Sequence, residues 1–154
     1  MVPGPTPVST TFLEGNPVAK IKPDSVKVDM VAVTHGHFDH VADAVKIALK
    51  NSAPLVTMVE LAGILQEENK DLNAVGINYS GSTTIDGVKF TSVPAFHSSG
   101  YNGKYGGSPM GIIVTDGLKV AFCRTELSRC IRVYCILFSF RRHCNLGSCF
   151  IISN

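Results

Sequence analysis

The chain has 154 residues, enough for one domain with a buried core, and it is 45% hydrophobic and 17% charged. Its net charge of +2 is too small to indicate a nucleic acid or a membrane surface as partner. The start, residues 1–5, lacks the basic and apolar regions of a secretory signal, and no apolar run approaches the roughly 20 residues of a membrane-spanning helix. We therefore expect a cytoplasmic protein with no nucleic-acid or membrane partner.

The pattern of apolar residues predicts strand–helix units in the first half of the chain and hairpins in the second. Residues 1–16 are predicted to be irregular. A strand over 26–34 runs into a helix from Asp39 or His40 to about Lys50, with Asp39 as its N-cap. The next predicted elements are a strand at 54–58, a helix at 59–69, a strand at 73–79, and hairpins with Asp-Gly turns at 83–94 and 110–122. This order predicts a mixed α/β layered protein.

The segment 34–40 reads Thr-His-Gly-His-Phe-Asp-His and directly follows the first predicted strand. It contains four residues of metal-ligand type, His35, His37, Asp39 and His40. Such residues can also be loop or capping polars without a ligand, but four within six positions favour metal binding. His35 and His37 point to the same side of extended backbone and can share one ion. Asp39 and His40 suit a second ion, and two adjacent ions can generate a hydroxide nucleophile at neutral pH.

His97 is the next candidate ligand, because it ends a predicted strand and begins a glycine-rich loop. The alternative is an ordinary hydrogen-bonded loop histidine. Ser98, Ser99 and Tyr101 could bond substrate or support the ligands, although such residues in loops are usually solvated. His143 lies in the unusual C-terminal segment, where we expect no ligand role.

The composition changes abruptly after residue 122. Residues 1–122 contain nine lysines and neither arginine nor cysteine, whereas 123–154 contain five arginines, five cysteines and no lysine. An odd number of cysteines without export disfavours a disulfide framework, and the absence of C-x₂-C spacing disfavours a zinc module. We predict a domain over 1–122 and an anomalous tail over 123–154. The tail is either translated out of the ancestral frame, a replacement of a lost segment, or a genuine cysteine-rich extension. Its apolar run, 130–140, is a strand or core filler.

His35-Gly36-His37-Phe38-Asp39-His40 resembles the H-x-H-x-D-H signature of the metallo-β-lactamase fold. The flanking segments 12–17, 29–34, 43–45 and 94–99 are similar to those of small prokaryotic metal-dependent hydrolases related to an ascorbate-lactonate lactonase. The resemblance covers about residues 12–122. It implies an αββα sandwich and a metal-dependent hydrolase that uses metal-bound hydroxide on an ester, lactone, amide or phosphodiester bond.

The resemblance also implies roles for individual residues. His35, His37 and His97 would bind the first metal, with zinc as the expected ion. Asp39 and His40 would belong to the second metal, and Asp39 would also orient the attacking water as the catalytic residue.

Several departures from the family pattern concern the second metal. The family has His-Ala-Gly-Asp-Thr where this chain reads Cys123-Arg124-Thr125-Glu126-Leu127, so the bridging aspartate is absent and the second site is incomplete. Thr10-Thr11 replaces the family's Asp-Pro. Together with the change after residue 122, this predicts a truncated or frame-shifted copy. The alternatives to an active hydrolase are a non-catalytic remnant with weak or no metal binding and, less favoured, a nuclease of the same fold.

Overall fold

The computed structural model describes residues 23–117, 119–123, 135–139 and 148–152. A short 3-10 helix, Pro23–Ser25, precedes the other elements of this part of the chain. The helices are α1 (Phe38–Val41), α2 (Ala44–Asn51) and α3 (Val59–Glu68). The strands are β1 (Met30–Ala32), β2 (Leu55–Met58), β3 (Ala74–Ile77), β4 (Ser82–Ile85), β5 (Val88–Pro94), β6 (Gly100–Tyr101), β7 (Lys104–Tyr105), β8 (Met110–Asp116), β9 (Lys119–Cys123), β10 (Cys135–Ser139) and β11 (Ser148–Ile152). The segment 1–16, predicted to be irregular, lies outside the described residues.

The first sheet has the strand order β11-β10-β1-β2-β3. Strands β1, β2 and β3 are parallel, and the helices α1 to α3 form the crossovers that parallel neighbours require. β10 pairs with β1 in the antiparallel direction, with Val31 opposite Leu137. The apolar run 130–140 therefore includes a strand, one of the two alternatives that its sequence left open.

The second sheet is antiparallel and has the order β4-β5-β8-β9. Its two predicted hairpins are present. Asp86-Gly87 lies between β4 and β5, whereas in the second hairpin Asp116 is the last residue of β8 and Gly117 follows it. At the first turn Asp86 and Gly87 have φ values of 47° and 84°, as a two-residue hairpin turn compatible with strand twist requires. A separate two-stranded sheet, β6 with β7, lies in the glycine-rich loop after β5.

β1 lies between two hydrophobic cores. Val31 belongs to the cluster formed with the helices, which includes Leu61 and Leu65. Met30 and Ala32 belong to the cluster between the two sheets, which includes Phe90. Because both faces are covered, β1 reads as an almost continuous apolar run. Helices, first sheet and second sheet thus form three layers, which confirms the predicted mixed α/β layered class.

Two predicted boundaries near the metal-ligand motif were wrong. The strand predicted over 26–34 is limited to Met30–Ala32; Val26 and Val28 bond instead to the side chain of Asn51 at the end of α2. The helix predicted to start at Asp39 or His40 is divided into α1 and α2. His37, not Asp39, is the N-cap of α1, and no side chain caps that helix.

None of the helices in the described part of the chain is long and apolar enough to span a bilayer. The longest of them, α3, has 10 residues, about half of what a spanning helix needs.

Substitution of two glycines by alanine should have opposite effects on stability. Neither a Cβ at Gly87 nor one at Gly63 would contact an atom within 4 Å, but only Gly87 has a positive φ, of 84°. Gly87→Ala should therefore lower the free energy of unfolding by about 1–2 kcal/mol, the cost of a left-handed non-glycine residue. Gly63→Ala lies inside α3 and should raise it by about 0.5–1 kcal/mol. Urea denaturation measures both; equal effects of the two variants would contradict the assigned turn geometry.

Candidate metal centre

His35 follows the carboxyl end of β1 and is completely buried. The preceding residue, Thr34, connects the layers at this point, because its carbonyl oxygen accepts a hydrogen bond of 3.0 Å from the amide of Met110 in the second sheet. The Thr34 hydroxyl lies 3.0 Å from His35 Nδ1 and 3.3 Å from His40 Nδ1. A hydrogen bond to Nδ1 leaves Nε2 as the ligand atom of His35.

Three histidines from two distant segments meet at this end of the sheet. His35 and His37 follow β1, whereas His97 follows β5, sixty positions later in the chain. One ligand atom from each histidine can be chosen so that all three lie within 4.8 Å of one another. Burial is graded across the group, from buried His35 through half-buried His37 to exposed His97, so the group opens to solvent on one side.

The spacing of the imidazole nitrogens fits a shared metal ion. His35 Nε2 and His37 Nδ1 are 3.0 Å apart, and two nitrogens bound to one tetrahedral zinc ion are about 3.3 Å apart, given zinc–nitrogen bonds of about 2.0–2.1 Å. The His97 ring centroid lies 4.5 Å from that of His35 and 5.0 Å from that of His37. Three imidazoles around an open side match the ligand set of a catalytic rather than a closed structural zinc site.

The electrostatic environment keeps His35 neutral. Burial is the main cause, and the neighbouring His40, His37 and His97 add to it when they are protonated; together they lower the pKa of His35 to about 2. Desolvation disfavours the imidazolium, and nearby positive charge acts in the same direction. Since a metal binds the unprotonated nitrogen, His35 is available as a ligand throughout the ordinary pH range.

Asp39 and His40 lie beside the three histidines but their ligand atoms are not part of that group. The His40 ring is stacked obliquely 3.9 Å from the His35 ring. His40 Nε2 and Asp39 Oδ2 are 3.9 Å apart, which is long for a direct hydrogen bond. A role of Asp39 and His40 at a second metal stays a prediction. Glu126 and His143 lie outside the described residues.

Two serines next to His97 support the site. Ser98 Oγ lies 3.3 Å from His37 Nε2. Ser99 Oγ accepts a hydrogen bond of 3.2 Å from the amide of Gly36 and donates one of 3.4 Å to the carbonyl of Gly106. Ser99 therefore connects the turn that bears His35 and His37 to the loop that follows His97.

Gly36 lies at the centre of this arrangement, where a larger residue would be crowded. A Cβ there would lie 3.1 Å from Tyr101 Cβ and 3.2 Å from the Gly100 carbonyl oxygen. The sequence suggested a supporting role for Ser98 and Ser99. It did not identify Thr34, whose only sequence signal is its position directly before the first ligand.

The chain belongs to the beta-lactamase superfamily: residues 3–124 match the family model described as a beta-lactamase superfamily domain. It is 45% identical over 109 residues to a UPF0173 metal-dependent hydrolase of Thermoplasma acidophilum, covering 71% of this chain and 48% of that protein. A protein of the same description in Pyrococcus horikoshii is 49% identical over 105 residues, covering 67% of this chain and 46% of that protein. The chain thus spans about half the length of the curated relatives it matches.

A solved structure has a similar fold. Igni18, a metallo hydrolase from the hyperthermophilic archaeon Ignicoccus hospitalis, is 29% identical, with a TM-score of 0.57 over 68% of this chain and 46% of that chain. The resemblance to metallo-β-lactamase-fold hydrolases and the sandwich architecture are therefore confirmed. The family match ends near residue 124, whereas the division of the chain after residue 122 stays a prediction.

His37→Ala should abolish zinc binding, because it removes the ligand between buried His35 and exposed His97. Zinc per chain after gel filtration should fall from about one, as three imidazoles predict, to background. Asp71→Asn, in the loop after α3, is the control and should retain zinc. Unchanged zinc in His37→Ala would contradict the site.

Ser99→Ala should weaken zinc binding without abolishing it. Loss of a residue that orients ligands typically costs about 10- to 100-fold in metal affinity, and competition with a chromophoric chelator measures it. Ser99→Thr retains the hydroxyl and should restore most of the affinity, while Ser108→Ala in the same loop should have no effect. Equal affinities of wild type and Ser99→Ala would show that the serine does not position the ligands.

Proposed function

We propose that this chain is a metal-dependent hydrolase in which His35, His37 and His97 hold a zinc ion. The observation that carries the proposal is the convergence of three imidazoles from two distant segments, with ligand atoms within 4.8 Å of one another. A bound zinc ion would act as a Lewis acid and lower the pKa of a coordinated water to about 7. The proposed substrate is a small molecule with an ester, lactone, amide or phosphodiester bond, and the proposed location is the cytoplasm.

Some residues of this chain would hold the histidine group in position, and others would leave it accessible to a substrate. Thr34 fixes the orientation of buried His35, and Ser99 holds the turn that bears His35 and His37 against the loop after His97. His97 is exposed, so a substrate can approach the group from its own side. Preorganised ligands of this kind keep the reacting centre aligned without rearrangement.

Asp39 is the proposed catalytic residue. It lies in the first turn of α1, two residues after His37, and its side chain is 38% exposed. A carboxylate there can accept a proton from a water next to the histidine group, which would orient that water toward the substrate.

A second candidate function is metal binding without turnover. The family's bridging aspartate has no counterpart in Cys123-Arg124-Thr125-Glu126-Leu127. The ligand atoms of Asp39 and His40 are also separate from the three-histidine group. The family resemblance implies two metals. A chain that holds only one of them would bind metal without hydrolysing a substrate.

Zinc analysis and kinetics of the full 154-residue chain separate these functions. We expect about one zinc per chain and hydrolysis of a lactone, an aryl ester or bis(p-nitrophenyl) phosphate that a chelator suppresses and added zinc restores. Asp39→Asn should lower kcat by about 10²–10⁴-fold, the usual contribution of a general base, and should leave zinc content unchanged. Asp71→Asn is the control with full activity.

The outcomes are distinct. Bound zinc without turnover of any substrate class would favour the second candidate, and absence of both would refute the proposed site. Turnover that is unchanged in Asp39→Asn would exclude this residue as the base.

A further inference from the structure

An open cleft of about 490 Å³ lies between α1, α2, the end of α3 and the β6–β7 turn. It is separate from the three histidines, none of which lines it. Its volume is within the range of small-molecule sites, roughly 300–1,000 Å³. The residues relevant here are Phe38, Val41, Val45, Glu68, Tyr101 and Asn102.

One side of the cleft is apolar. Phe38, at the start of α1, is 57% exposed and so presents most of its ring to solvent. Val45, which is partly buried, continues this surface on α2, and buried Val41 lies beneath it. A large aromatic side chain in solvent next to two valines offers a planar apolar group a surface to cover.

The other side carries one organised acceptor. Tyr101 Oη donates a hydrogen bond of 2.9 Å to Glu68 Oε2, which holds the carboxylate in place. Burial and this bond to Glu68 raise the pKa of the Tyr101 hydroxyl, so the hydroxyl stays protonated and continues to donate. The second oxygen, Glu68 Oε1, lies 3.9 Å from Lys104 Nζ, beyond the length of a direct hydrogen bond, and can accept from a ligand.

The cleft lies directly beside the turn that bears His35 and His37. Phe38 directly follows His37 in the chain. Tyr101 packs so closely on Gly36 that a Cβ at Gly36 would lie 3.1 Å from Tyr101 Cβ. A molecule in the cleft would therefore lie next to the segment that bears His35 and His37.

We propose that this cleft binds a small uncharged molecule with a planar apolar face and one N–H or O–H group that donates to Glu68. Glu68 and Lys104 together carry no net charge at this edge of the cleft, so neither an anion nor a cation gains a net attraction there. An uncharged donor can bond the Glu68 oxygen that Tyr101 does not bind, while its ring covers Phe38 and Val45. The cleft would accommodate the uncleaved side group of the substrate, an assignment that rests on the proposed hydrolase function.

Binding of two matched probes to the metal-free protein tests the cleft independently of hydrolysis. Indole and benzofuran have nearly the same shape, but only indole has an N–H donor. Amide NMR titration should show saturable shifts at residues 38–45 and 101–102 with indole, and benzofuran should bind about 10-fold more weakly, the value of a hydrogen bond to a charged group.

Variants then assign the donor partner. Glu68→Ala should bind both probes equally, whereas Glu67→Ala, its exposed neighbour on α3, should retain the preference for indole. Absence of saturable shifts with indole, or an unchanged preference in Glu68→Ala, would overturn the proposal. The amide spectra of both variants also report whether each is folded.

A kinetic experiment on the zinc-loaded protein tests the link to the reaction. Indole should inhibit ester hydrolysis competitively in the wild type and at least several-fold more weakly in Glu68→Ala. Binding without competition would retain the cleft as a binding site but overturn its assignment to the substrate side group. Binding in a chain that lacks all hydrolytic activity would refute the proposed function alone.

Discussion

The end of β1 is the point on which the rest of the structure depends. β1 is covered by helices on one face and by the second sheet on the other. The packing of both layers therefore fixes where the chain leaves the first sheet. The hydrogen bond from the Met110 amide to the Thr34 carbonyl joins this point to the second sheet. His35 follows at once, and a buried imidazole at such a position has little freedom of orientation.

Burial at this point has a chemical consequence. His35 is completely buried with three other imidazoles around it, and its lowered pKa means that it does not hold a proton. Its neutral form, the form that can bind a metal, is therefore favoured over the imidazolium. Unpaired buried polar groups are costly, and Thr34 provides His35 with a partner on the side away from the group. The arrangement combines a rigid ligand at its base with an accessible one, His97, at its opening.

The three histidines lie in the part of the chain that resembles known proteins. The chain matches UPF0173 metal-dependent hydrolases over about half of their length. Residues 3–124, which match the beta-lactamase superfamily model, contain the three histidines. That match ends at residue 124, one residue after β9. Within the described residues, the group that could hold a metal ion consists of these three histidines. Metal binding by such a group does not by itself establish turnover.

Local sequence determined the candidate metal ligands and the positions of the hairpins. The ligand-type residues are recognisable because His35 and His37 are two apart around a glycine, after an apolar strand. The Asp-Gly pairs located both hairpins, and at the first turn Asp86 and Gly87 both have the positive φ that few residues tolerate. The boundaries near the motif were less predictable. Asn51 bonds the backbone of Val26 and Val28, which precede β1, and these contacts join residues more than twenty positions apart.

What only the tertiary structure decided is which residues meet. Sequence identified His97 as a candidate, but only the packing of two sheets brings it from sixty-two positions away to the His35 ring. The His40 ring also lies 3.9 Å from the His35 ring, but the group whose ligand atoms lie within 4.8 Å of one another consists of His35, His37 and His97. Spacing along a chain constrains only neighbours, whereas the positions of distant segments depend on how two hydrophobic cores are filled around one shared strand.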